Sequence, residues 1–157
     1  MKYLENILVL PEEDLAGKKV YLPPLKNPRK KTLILDLDET LVHCSETDFR
    51  SCLMIPIQFS KDRTIEAGMR IRPYAQLFLK KMSKIYEIVI FTASAACYAN
   101  TIIDILDPEN RFITARVYRD NCLRTDDNVF IKDLRIFANR KIENIMIVDN
   151  AFYSYGY

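Results

Sequence analysis

The sequence predicts a single α/β domain built on a parallel sheet, and two observations carry that prediction. Short apolar bursts without polar alternation recur along the chain, as strands covered on both faces require. Between them lie segments with apolar residues at helical spacing, and buried strands alternating with helices build parallel sheets through crossover connections. At 157 residues one domain is the natural expectation, and a chain of that length can bury a real core.

Residues 1–28 read as a lead-in, because Pro11, Pro23, Pro24 and Pro28 interrupt any regular element. The basic stretch Lys26–Lys31 that closes it reads as a solvated approach to the first strand, with a weak localisation or docking signal as the sharper alternative. The domain proper is expected over 29–157. Its first strand is the burst Lys31-Thr-Leu-Ile-Leu-Asp36. Cys52–Phe59 and Thr64–Ile71 predict two strands joined by the polar turn Ser60–Arg63, a small antiparallel insertion. Pro73 suits the first turn of a helix, with Leu77, Phe78, Met82 and Ile85 as its apolar stripe. Tyr86–Phe91 is a second buried strand. Ser94–Leu106 is a second helix with Tyr98, Ile102, Ile105 and Leu106 on one side, and Pro108 lies just past its end. Ile113–Tyr118 predicts a third strand, Asp133–Asn139 a short helix and Asn144–Asp149 a fourth strand.

Composition excludes several chemistries. The glycines Gly17, Gly68 and Gly156 are far apart, so there is no dinucleotide fingerprint or phosphate-cradling loop. His43 is the one histidine, which rules out a multi-histidine metal site. A Ser-His triad would have to run through it, although a packed or solvated histidine is the simpler reading. The four cysteines form no CxxC pair, against zinc ribbons and thioredoxin-like motifs. The net charge of +2 does not suggest a nucleic-acid partner. The apolar runs are too short to span a bilayer, so no membrane partner is expected. With no secretion signal read at the start, the expected location is intracellular, nucleus or cytoplasm.

In a parallel sheet ligands bind beyond the carboxyl ends of the strands. The first burst hands over to Asp36-Leu-Asp38-Glu-Thr40, the second to Phe91-Thr92-Ala-Ser94 and the fourth to Asp149-Asn150, with Lys132 ahead of the short helix. Asp36 and Asp38 are two apart and so point the same way from an extended chain. Two such carboxylates repel unless a cation or a shared proton relieves them. A hard cation such as Mg²⁺ prefers oxygen ligands, and Asp149 and Asn150 supply more of them. A lysine and a hydroxyl around a free carboxylate suit a phosphoryl group, with the carboxylate as nucleophile. Singly, Asp38, Thr40, Thr92 and Asp149 each read as a turn or helix cap. Their convergence on one sheet edge is what points to chemistry.

Asp36-Leu-Asp-Glu-Thr-Leu41 resembles the DxDx[T/V] signature of the haloacid dehalogenase superfamily. Arg72-Pro73, Phe91-Thr-Ala-Ser94, Tyr118-Arg-Asp-Asn-Cys122, Ile131-Lys-Asp-Leu134 and Ile147-Val-Asp-Asn150 follow in order. The set is similar to the phosphatases of the RNA polymerase II C-terminal domain, the small CTD phosphatase or NLI-interacting-factor-like group, over residues 29–155. The resemblance implies a Rossmann-like parallel sheet with a small β insertion. It also implies a Mg²⁺-dependent protein serine/threonine phosphatase working through an aspartyl phosphate. Asp36 is then the nucleophile and Asp38 the acid and base. Thr92 and Lys132 hold the transferring oxygens, and Arg119 and Thr40 lie on the substrate side. The metal ligands implied are the Asp36 carboxylate, the Asp38 carbonyl and the Asn150 side chain, with Asp149 orienting that shell. The implied partner is a phosphoserine or phosphothreonine protein, with the polymerase C-terminal domain the family default.

The resemblance leaves alternatives: a non-catalytic peptide-binding member like the mitochondrial import-receptor relatives, or a phosphatase acting on another phosphoprotein or lipid regulator. Relatives continue past the Asp-Asn motif with a further helix and strand, whereas this sequence stops at Tyr157. The C-terminal end of the domain is therefore expected to be missing and sheet surface to be left uncovered.

Overall fold

The computed structural model describes residues 12–45, 47, 50 and 53–151. In chain order its elements are α1 (Glu12–Leu15), β1 (Thr32–Leu35), β2 (Val42–Ser45), β3 (Leu53–Ser60), β4 (Arg63–Ile71), α2 (Ala75–Met82) and β5 (Glu87–Phe91). There follow α3 (Ala96–Leu106), β6 (Ile113–Val117), β7 (Leu123–Arg124), β8 (Phe130–Ile131) and β9 (Ile145–Val148). The central sheet has the order β6-β5-β1-β9, and every pairing in it is parallel. All four strands expected from the apolar bursts are therefore present, and the α/β reading holds.

Alternation along the strands builds two core layers. Leu33, Leu35, Ile88 and Ile90 face one side, where Ala99, Ile102, Ile103 and Leu106 of α3 cover them together with Ala75 and Leu79 of α2. Ile34, Val89 and Phe91 face the other, against Ile136, Phe137, Val117 and Cys122. Every residue of β1 and β5 is buried, which is why these runs show no polar alternation. In β9, Ile145 and Ile147 join the second layer, while Met146 and Val148 are exposed.

Four details differ from the sequence reading. The insertion has a third strand, in the order β2-β4-β3. The extra strand, Val42-His-Cys-Ser45, is too short and polar to register as an apolar run. Cys52, the expected start of β3, lies outside the described residues. Of the stripe Leu77, Phe78, Met82, Ile85, only Met82 faces inward. Ala75, Leu79 and Met82 meet the core, at the i, i+4, i+7 spacing of one helix face, and Leu77, Phe78 and Ile85 are exposed.

Asp133–Asn139 holds one 3₁₀ turn, Leu134–Ile136, instead of a helix. The main chain there is engaged elsewhere: Val20 N–H donates to the Ile136 carbonyl (2.8 Å), and Ala138 N–H donates to the Val20 carbonyl (3.1 Å). Finally, part of the lead-in is core. Leu15 and Leu22 are buried in the second layer, whereas Lys26–Arg29 are exposed as expected.

Candidate active site

The strand ends deliver their polar residues to one edge. Asp36 N–H continues the β1–β9 ladder by donating to the Val148 carbonyl at 3.0 Å. Beyond it the chain turns sharply, with Leu41 N–H (2.9 Å) and Val42 N–H (3.2 Å) both donating to the Leu37 carbonyl. Glu39 sits at φ 61°, a left-handed conformation that is costly for a residue with a Cβ. The surroundings hold it there. Arg72 Nε donates to the Thr40 carbonyl (2.5 Å) and Arg72 Nη2 to the Glu39 carbonyl (2.7 Å). The Glu39 carboxylate also meets His43 Nδ1 at 2.5 Å, so His43 is a partner of the loop.

Asp36 and Asp38 leave this turn with different partners. Lys132 Nζ donates to Asp36 Oδ1 (2.5 Å) and to Asp149 Oδ2 (2.6 Å). All three side chains are buried. Asp149 Oδ1 accepts Ala151 N–H at 2.8 Å, which ties the chain after β9 back to the site. Burial raises the Asp36 carboxyl above its usual range, and the Lys132 charge opposes that rise. Asp38 is held by hydroxyls: Ser94 Oγ donates to Oδ2 at 2.8 Å, and the Tyr98 hydroxyl donates to Oδ1. The repulsion expected between two carboxylates on one strand end is thus relieved by an ammonium on one and hydroxyl donors on the other.

Thr92 is buried, and its Oγ1 accepts Ser94 N–H at 3.0 Å. It shapes the turn after β5 and does not cap α3, whose N-cap is Ala95. Thr92 Oγ1 also lies 3.5 Å from Asp38 Oδ2, and Thr40 Oγ1 lies 3.5 Å from Asn150 Oδ1. Arg119 Nε donates to the Ala93 carbonyl at 2.6 Å, and its guanidinium stacks over Phe130 at 5.1 Å. All eight candidate residues therefore gather at the carboxyl edge, in an Asp36–Lys132–Asp149 group and an Asp38–Thr92 group, with Thr40, Asn150 and Arg119 beside them. A cleft of about 810 Å³ opens next to the loop, lined by Glu39, His43, Leu53, Arg70 and Arg72 among others.

Three participants were not assigned roles from sequence. Arg72 and Ser94 stand inside the quoted motifs, but their contacts are tertiary. Tyr98 was read as part of an apolar helix side. Its i, i+4 spacing from Ser94 was the available signal.

Among the described residues no group of three His, Cys, Asp or Glu side chains is placed to hold a metal. The donor set implied for Mg²⁺ is different in kind: the Asp36 carboxylate, the Asp38 main-chain carbonyl and the Asn150 amide oxygen. It is entirely hard oxygen, and the Thr40–Asn150 approach brings Asn150 to the loop that carries both aspartates. That chemistry fits Mg²⁺.

A family model described as NLI interacting factor-like phosphatase matches residues 31–157. The chain belongs to that family. "CTD small phosphatase-like protein 3" of Caenorhabditis elegans is 40% identical over 155 residues, covering 98% of this chain and 53% of that protein. "CTD small phosphatase-like protein 2" of Dictyostelium discoideum is 38% identical, covering 100% of this chain and 26% of that protein. The chain thus spans about half or less of the length of these relatives. Among solved structures, the fission yeast RNA polymerase II CTD phosphatase Fcp1 aligns with a TM-score of 0.61 and 23% identity, over 75% of this chain and 36% of that one. That likeness concerns the fold, which is of the haloacid dehalogenase type. This NLI interacting factor-like domain therefore carries its candidate residues at the carboxyl edge of a parallel sheet.

Proposed function

We propose that this domain is a Mg²⁺-dependent phosphoprotein phosphatase that works through an aspartyl phosphate on Asp36. The observation that carries the reading is the pairing of buried Asp36 with Lys132 at the end of β1, beside a second carboxylate held by hydroxyls. A carboxylate oxygen of Asp36 attacks phosphorus as the bond to the serine or threonine oxygen breaks. Asp38 gives its proton to that departing oxygen, then takes one from the water that cleaves the aspartyl phosphate. Lys132 and the Thr92 hydroxyl face the transferring oxygens. Mg²⁺ held by the Asp36 carboxylate, the Asp38 carbonyl and Asn150 would offset negative charge on the phosphoryl group. Asp149 fixes Lys132, while Arg119 and Thr40 border the substrate.

The substrate class we favour is a phosphoserine or phosphothreonine protein inside the cell, in nucleus or cytoplasm. The RNA polymerase II C-terminal domain is one candidate, supported by the names of the relatives. The test is hydrolysis of a phosphoserine peptide by the chain, with and without Mg²⁺, beside Asp36→Asn. Turnover that requires Mg²⁺ and vanishes in the variant is expected. Turnover that survives Asp36→Asn overturns the nucleophile, and turnover indifferent to chelator overturns the metal.

A further inference from the structure

We infer that Tyr98 is a positioning residue: with Ser94 it fixes the direction in which the Asp38 carboxyl faces. The inference rests on the proposed role of Asp38 as proton donor to the departing oxygen. Each oxygen of Asp38 has its own donor, Ser94 Oγ on Oδ2 at 2.8 Å and the Tyr98 hydroxyl on Oδ1. Two donors on different oxygens block rotation of the carboxyl plane. A single donor would leave it free to turn. The contact to Thr92 at 3.5 Å is too long to do the same work.

The donors are themselves anchored. Tyr98 lies in the first turns of α3 and packs against the first core layer, whose buried members on this helix are Ala99, Ile102, Ile103 and Leu106. The ring is therefore held by apolar contact and the hydroxyl by Asp38, the usual division of labour in a half-buried tyrosine. Ser94 is fixed by its own N–H to Thr92 Oγ1 at 3.0 Å and by its carbonyl, which accepts Arg119 N–H at 3.1 Å. Loops on both sides of the Thr92–Ser94 turn thus converge on the orientation of one carboxyl group.

Orientation matters unequally for different esters. A serine alkoxide is a poor leaving group and needs the proton as the bond breaks, whereas nitrophenolate departs readily without one. A misdirected acid should therefore harm alkyl phosphates selectively. A purely structural defect would lower turnover of both alike.

The experiment compares kcat/KM on a phosphoserine peptide and on p-nitrophenyl phosphate, with Mg²⁺, for the unaltered chain, Tyr98→Phe, Ser94→Ala and Asp38→Asn. This ratio reads the departure of the leaving group and not the later hydrolysis of the aspartyl phosphate common to both esters. For Tyr98→Phe we expect the peptide kcat/KM to fall roughly tenfold or more, and the aryl kcat/KM by a clearly smaller factor. A thermal melt should be close to that of the unaltered chain. Should Tyr98→Phe fail to fold, Ser94→Ala carries the same comparison. Equal losses on both esters, or no loss on either, overturn the inference. If Asp38→Asn shows no such selectivity, the role of Asp38 itself fails. If the unaltered chain turns over neither ester, the functional reading fails, and this inference falls with it.

Discussion

Asp149, at the end of β9, points its Oδ2 at the ammonium of Lys132 from 2.6 Å, with both side chains buried. Lys132 comes from the segment after β8, so this contact fastens two separate parts of the chain together beneath Asp36. Removing a cation from such a group leaves two carboxylates facing each other without solvent. Breaking a buried ion pair typically costs about 3–5 kcal/mol. Lys132→Met should therefore lower stability by about that amount in urea unfolding, besides abolishing turnover. A variant as stable as the parent would show that the lysine is not the counter-charge described.

Arg72 binds the carbonyls of Glu39 and Thr40 and so supports a strained turn between the two aspartates and β2. Arg72→Ala should let that turn relax. Misplacement on the order of 1 Å can cost about a hundredfold in rate. We expect kcat to fall by roughly ten- to a hundredfold. The guanidinium is exposed and pairs with carbonyls rather than charges, so the unfolding midpoint should move little. Arg72→Lys should not rescue, because one ammonium cannot span both carbonyls in the same fork.

At the opposite edge of the sheet lies a second buried ion pair. Arg140 Nη2 meets Glu87 Oε1 at 2.8 Å, and Thr32 Oγ1 donates to Glu87 Oε2 at 2.8 Å. These groups sit at the start of β5 and β1, a strand's length from the chemistry. Arg140→Met should cost about 3–5 kcal/mol of stability while leaving kcat of the folded fraction unchanged. A change in kcat under conditions where the variant is fully folded would contradict this separation of roles.

Burial pushes the Cys122 thiol up to about 11. The folded chain therefore keeps a proton that the unfolded chain gives up from its ordinary value of 9.0. This contribution to stability is complete below pH 9.0 and is lost as pH rises through about 11. Cys122→Ala should flatten the alkaline decline of stability over that window. Cys44 and Cys97 are half-buried. Iodoacetamide at about pH 8 should mark them before Cys122, and peptide mapping reads the order. Modification of Cys122 first would contradict its burial.

Much of the site was legible because strands end abruptly in polar residues. Asp36, Thr92 and Asp149 each follow an apolar burst, and a parallel sheet brings such ends together. Lys132 follows only a two-residue strand, so its place ahead of the expected short helix was a weak signal, and the family resemblance added its role on the transferring oxygens. Arg72 acts across the fold, where periodicity carries no information, and Tyr98 reaches Asp38 across the fold with only its i, i+4 spacing from Ser94 as a hint. The helix α2 misled for another reason. Its apolar residues occupy more than one face, and spacing alone does not say which face meets the sheet. The 3₁₀ turn at Leu134–Ile136 was hidden because its competitor, Val20, lies far away in sequence.

Leu15 and Leu22 lie against Ile34, Phe91 and Phe137, and the chain between them adds a single bridge from Val20 to Phe137. This arm acts as a tethered plug, kept at high local concentration by its own linkage through the exposed Lys26–Arg29 stretch. A shortened gene product starting at residue 29 would keep every candidate site residue and still uncork that face. Its greasy floor would then be open to other molecules, so clumping, rather than faulty chemistry, would be the first symptom of trimming this protein to its signature motifs.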